Sequence, residues 1–151
     1  MSLKAQLDND LKAALLGGDR FRTEVLRGLK AAILNEEVAQ NKRDTGLDDT
    51  TIETIIVREV KKRADSATQY QAAGRPELVI AEQAESKIIE AYLPEQLSEA
   101  DIQKVVDEVI ASTGAAGPQA MGKTIGAVKA KLGNSADGGT IARLVKQALG
   151  A

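Results

Sequence analysis

Apolar residues recur along this chain at the three- and four-residue intervals of helices, and no segment alternates as a half-buried strand would. Leu3, Leu7, Leu11 and Leu15 repeat every four residues and stop at Gly17-Gly18. Asp19 is placed to cap a second helix, with Phe21, Val25, Leu29, Ala32, Ile33 and Glu36 on one stripe. Asn41 to Leu47 reads as a loop. Asp48 is a further N-cap, with Leu47 and Ile52 at the two positions of a hydrophobic staple. Ile52, Ile56, Val60, Ala67 and Tyr70 form the stripe of this third helix, which ends at Gly74. Pro76 suits the first turn of a fourth, whose inward positions are Leu78, Ala81, Ile88, Ile89 and Tyr92.

The sharpest boundary falls at Leu93–Leu97, where Pro94 separates two periodic segments. Ser98 and Asp101 have capping-box spacing, with Leu97 and Ile102 as staple. Ile102, Val105, Val106, Val109 and Ile110 make a fifth helix that Gly114 stops. Pro118 opens a sixth, with Met121, Ile125, Val128 and Leu132 inward and Gly133 at its end. Asp137 caps a seventh, with Ile141, Leu144, Val145 and Leu149 inward. The expected fold is all-α: a four-helix bundle over residues 1–93, a hinge at 94–97, and a small three-helix part over 98–151.

Composition narrows the chemistry. The 151 residues include no His, no Cys and no Trp. A Ser-His-Asp triad, a Cys nucleophile, a zinc site of Cys or His ligands, and disulfides are therefore excluded. Phe21, Tyr70 and Tyr92 are the whole aromatic complement, too few for a base-stacking platform. Uninterrupted apolar runs reach four residues, so no membrane-spanning helix is expected. Asp8 and Asp10 stand where a signal peptide would have its apolar core, and a cytoplasmic location is the expectation.

The formal charge of −2 conceals a polarity. Residues 94–114 carry five acids and one Lys; residues 115–151 carry Lys123, Lys129, Lys131, Arg143 and Lys146 against Asp137 alone. The basic tail is either a solvated helical surface or a phosphate-facing patch.

Two constellations suggest specific chemistry. Gly117-Pro118-Gln119-Ala120-Met121-Gly122-Lys123-Thr124 matches the phosphate-loop pattern, which cradles phosphates only between a buried strand and a helix. The preceding segment has helical periodicity, so Gly117 and Pro118 are expected to start a helix and Lys123 to face solvent. A nucleotide hydrolase using Lys123 and Thr124 is the enzymatic alternative. Arg63 and Glu85 fall in the apolar seams of helices three and four. A hairpin turning near Gly74 and Arg75 puts them at one level, which predicts an interhelical ion pair. A carboxylate site of Glu82 and Glu85 is the competing reading.

A family resemblance rests on short strings in a fixed order. Leu26-Arg27 with Lys30-Ala31-Ala32-Ile33, Arg58 to Arg63, and Tyr70 to Arg75 resemble the GatB/YqeY family. Glu82-x-x-Glu85 leading to Tyr92-Leu93-Pro94-Glu95-Gln96-Leu97 is the most specific stretch. Met121-Gly122-Lys123 and Gly133 through Asp137-Gly138 complete it. The chain is most similar to the free-standing YqeY-like members.

The resemblance implies a two-part helical fold similar to the C-terminal tail of GatB, a component of the glutamine-dependent aspartyl/glutamyl-tRNA amidotransferase. It implies a tRNA-binding accessory protein, cofactor-free and non-catalytic on its own. The activity associated with the family is that of a carbon–nitrogen ligase with glutamine as amide donor. Matching RNA-facing positions are Gly122, Lys123, Lys129, Lys131, Gly133, Asp137, Gly138, Arg143 and Lys146. After Gly133 the loop reads Asn134-Ser135-Ala136, where many relatives place another basic residue. Expected partners are tRNA and an aminoacyl-tRNA synthetase or amidotransferase, not a membrane. The alternative is a helical protein–protein adaptor for a tRNA-metabolism enzyme, docking through the N-terminal bundle or the hinge at Pro94.

Overall fold

The computed structural model describes residues 1–150. These form seven α-helices with no strand among the described residues: α1 (Leu3–Leu16), α2 (Arg20–Ala39), α3 (Asp49–Ala72), α4 (Pro76–Glu90), α5 (Glu99–Thr113), α6 (Met121–Leu132) and α7 (Gly138–Leu149). The chain divides into two compact units, Met1–Leu93 and Pro94–Ala151.

In the N-terminal unit each of the first three helices begins on a side-chain cap. Ser2, Asp19 and Asp48 accept from the backbone N–H of Ala5, Arg22 and Thr51. The core gathers Leu7 of α1, Val25, Leu26, Leu29 and Ile33 of α2, Ile52, Ile55 and Ile56 of α3, and Ile89 of α4. Leu47 from the loop and Tyr92 beyond α4 complete it.

Several expected stripes differ in detail. Leu15 is 49% exposed, and Ala14 is buried instead. A four-residue repeat drifts about 40° per step round a helix, whereas a seven-residue step returns to nearly the same face. Ala14 is seven residues from Leu7; Leu15 has drifted out. Phe21 lies about 140° round α2 from the fully buried Leu26 and is exposed. Ala81 of α4 is exposed as well.

In the C-terminal unit the core is Ile102, Val106 and Val109 of α5, Val128 of α6, and Ile141, Leu144 and Val145 of α7. Ser98 and Asp137 cap α5 and α7 through the N–H groups of Asp101 and Thr140. Gly114 closes α5 in the left-handed region at φ 65°. The sixth helix starts later than its sequence suggests: Pro118–Ala120 is a 3₁₀ turn, and α6 begins at Met121.

Candidate functional site

The basic positions gather on two helices and their connection. Lys123, Lys129 and Lys131 lie on α6, Arg143 and Lys146 on α7, and all five are exposed. Gly122 is exposed on α6; Gly133 opens the connecting turn, with φ 55° and ψ −136°. Gly138 is the first residue of α7, and a side chain there would meet Lys129 Cε and Nζ at 3.5 Å.

Two members of the set already have structural work. Asp137 Oδ2 accepts from Thr140 N at 2.9 Å and from Thr140 Oγ1 at 3.1 Å, holding the start of α7. Arg143 Nη2 lies 2.7 Å from Glu99 Oε2 at the start of α5. That pair ties the basic tail to the acidic helix before it.

The phosphate-loop string does not form a phosphate loop. Gly117 takes φ 77°, a 3₁₀ turn follows, and Lys123 and Thr124 lie in the first turn of α6. Thr124 is buried, and its hydroxyl donates to Ala120 O at 2.8 Å. The group that would hold magnesium is thus inside the packing, bonded to its own helix.

On the α3–α4 hairpin the structure brings Arg63 and Glu85 together. Arg63 Nε donates to Glu85 Oε2 at 3.1 Å, and Nη1 donates to Glu59 O at 3.1 Å and Glu59 Oε2 at 3.3 Å. Among the described residues, no three His, Cys, Asp or Glu side chains are grouped to hold a metal ion.

A further site escapes the sequence reading. Between α1 and α2 runs a cleft of about 240 Å³ lined by Leu7, Ala31, Ile33 and Leu34, with Lys4, Lys30 and Glu37 at its edges. Glu37 is buried, and Lys4 Nζ lies 2.6 Å from its Oε1. Lys30 pairs with Asp8 across the same two helices. Beside the cleft, Leu34 and Val38 are 44% and 55% exposed, one turn apart on α2. A signal is present: Glu37 stands four residues after Ile33 and eight after Leu29, so it shares their face. The stripe expected from the sequence runs through Glu36 instead, which the structure leaves half-exposed and paired with Arg58.

Tyr92 closes the base of this unit. Its hydroxyl donates to Asp10 Oδ2 at 2.5 Å, and burial together with that carboxylate pushes its pKa up to about 12.

A family profile described as Yqey-like protein matches residues 4–149. The chain belongs to the YqeY-like family. Among curated proteins it is similar to one from Lachancea thermotolerans named "Altered inheritance of mitochondria protein 41, mitochondrial". The two are 32% identical over 108 residues, 70% of this chain and 57% of that protein. Proteins of the same name from Eremothecium gossypii and Saccharomyces cerevisiae are 36% identical over 89 residues and 31% identical over 107. These alignments cover 59% and 69% of this chain, and 48% and 56% of the relatives. The chain spans about half the length of the curated relatives it matches.

These names overturn two expectations drawn from the sequence. They point to mitochondria and their inheritance rather than to a tRNA-binding accessory protein or an adaptor for a tRNA-metabolism enzyme. They also conflict with the cytoplasmic location, since each of these relatives is named as mitochondrial. Resemblance to the amidotransferase tail carries the tRNA expectation, and a shared helical architecture does not fix what is bound. The location rested on the acidic residues near the N-terminus, which speak only to an export signal. Neither the family description nor the relatives' names give a catalytic activity.

Proposed function

We propose that this chain is a non-catalytic protein-interaction module that performs, for its own partners, the role its mitochondrial relatives perform for theirs. The observation that supports this reading is the α1–α2 cleft. Core side chains Leu7 and Ile33 reach its floor, and Leu34 and Val38 extend it as an exposed apolar strip. Apolar positions at such spacing beside a shallow groove suit a partner helix that lays its own apolar face into it. Lys4 and Lys30 flank the floor and give such a helix a polar rim to register against.

The test is replacement. A Saccharomyces cerevisiae strain lacking its relative receives this chain behind a mitochondrial leader, and transmission of mitochondria to daughter cells is scored. The expected result is restored transmission by the chain and its loss in L34K/V38K, whose exposed positions leave folding intact by circular dichroism. No restoration by the intact chain, or equal restoration by the variant, would overturn the proposal.

A further inference from the structure

Among the described residues, Glu37 is the one buried side chain that carries a charge. It lies near the end of α2, on the face of Leu29 and Ile33, and forms part of the wall of the α1–α2 cleft. The loop after α2 packs against it. Lys42 N donates to Glu37 O at 2.7 Å, and a side chain at Gly46 would stand 3.9 Å from Glu37 Oε1 and 3.8 Å from Lys4 Nζ.

The cation of this acid is held less firmly. The Glu37 side chain is 2% exposed and that of Lys4 41%. The carboxylate is fixed in a packed wall, whereas the ammonium rises from the first turn of α1 and already stands half in water. Lys4 can therefore turn out into solvent with little change in its own hydration. A buried carboxylate has to keep a cation, but a second cation brought to the same place compensates it as well.

The cleft beside this acid has the form of a seat for a long basic side chain. Leu7, Ala31, Ile33 and Leu34 make it apolar, and Glu37 puts a negative charge at its edge. An Arg or Lys side chain is the complement: an apolar stem that carries a charged head. A guanidinium adds what the Lys4 ammonium lacks, two parallel N–H donors for the two oxygens of a carboxylate. Lys30, the other cation at the edge, is neutralised by Asp8 and sets up little repulsion against an incoming one.

We propose that Glu37 is the recognition carboxylate of the α1–α2 cleft. A basic side chain of the partner, arginine by preference, lays its stem along the apolar floor and takes the place of Lys4 at the carboxylate. Lys4 is the placeholder that compensates the buried acid while the cleft is free. This inference rests on the partner-helix reading above and adds the chemistry by which the partner is recognised.

The site is tested first without a partner. Lys4→Ala empties the place of the ammonium, and ethylguanidinium chloride over a millimolar range is the probe. The thermal midpoint of K4A, followed by circular dichroism, is expected to rise by about 5 °C at ten times the Kd of the probe. Tetramethylammonium chloride carries a charge but no N–H donor, and is expected to act on K4A only as sodium chloride does. Wild type shifts less than K4A, and K4A/E37Q does not shift. A K4A midpoint that ignores ethylguanidinium, or an equal response in K4A/E37Q, overturns the proposal.

Use of the site by the partner is read in the replacement assay. K4A is expected to restore transmission of mitochondria as the unaltered chain does. E37Q, equal in shape but uncharged, is expected to lose it while keeping its helicity. A purely structural pair gives the opposite order, because K4A strands a buried charge and E37Q does not. Restoration by E37Q together with loss in L34K/V38K overturns this inference and leaves the partner-helix reading standing. No restoration by the unaltered chain overturns that reading, and the response of K4A to ethylguanidinium then decides whether Glu37 takes a cation from outside the chain.

Discussion

The ammonium of Lys4 lies 2.6 Å from Glu37 Oε1, and it is the ion-pair partner of a carboxylate that is 2% exposed. A buried ion that loses its partner keeps its desolvation cost without its compensation. Lys4→Met is therefore expected to cost about 2–3 kcal/mol in urea unfolding, at the lower end for broken buried pairs because Lys4 itself is half in water. K4M/E37M is expected to recover most of that loss, since the uncompensated charge is gone. A single variant as stable as wild type, or a double variant worse than the single, contradicts this account.

Tyr92 and Asp10 make the N-terminal unit sensitive to alkali. The phenol's pKa is raised from its ordinary 10 to about 12 in the fold, so the folded state holds its proton more tightly than the unfolded chain. The stabilisation is complete below pH 10 and is lost as pH rises through 12. Tyr92→Phe removes the hydrogen bond at neutral pH, an expected loss of about 1–2 kcal/mol for a bond to a charged acceptor. Between about pH 10 and 12 the difference between the two proteins should shrink. Urea titrations at pH 7, 10 and 11.5 measure it; a gap that widens with pH would reverse the sign and refute the assignment.

Arg63 serves two carboxylates, which predicts an asymmetry. Glu85→Ala leaves Arg63 its bonds to Glu59, while Arg63→Ala takes this cation from Glu85 and leaves Glu59 with Lys62 alone. The expected coupling between positions 63 and 85 is about 0.5–1 kcal/mol by double-mutant cycle, as for a partly exposed pair. Arg63→Ala should be the more damaging single change. Additive single effects would mean that the observed pairing does not contribute to stability.

What the sequence disclosed follows from the period of each pattern. Helix starts were legible because Asp48, Ser98 and Asp137 carry side chains that can act only locally, on an N–H two or three residues ahead. The α6 start was displaced because Pro118 permits a 3₁₀ turn as readily as an α-helix, and the phase is set by where Val128 packs. Faces were less certain than elements. A stripe read one residue off chooses Glu36 over Glu37 and misses the cleft, because neighbouring positions on a helix differ by about 100° and only packing picks between them. Partners separated by tens of residues, such as Tyr92 and Asp10, leave no local trace at all. Arg63 and Glu85 were accessible for the opposite reason: both are charges set in apolar stripes, and one tight turn fixes their level.

Lys123 and Thr124 belong to a string that matches a phosphate loop letter for letter, and the geometry gives them different fates. Lys123 is exposed on α6, so Lys123→Ala should alter stability by less than about 0.5 kcal/mol. Thr124 is buried with its hydroxyl donating to Ala120 O. Thr124→Val keeps the shape and leaves one carbonyl short of a donor, an expected cost of about 1 kcal/mol. Thr124→Asp puts an unpaired charge in the same space and is expected to unfold the C-terminal unit. In a true phosphate loop the order is reversed, because there the lysine binds the terminal phosphates and its loss abolishes nucleotide affinity. Calorimetric titration with ATP and magnesium is expected to give no binding heat for wild type or for K123A. Heat in wild type that vanishes in K123A would show that the string acts as its letters suggest, despite the helix it starts.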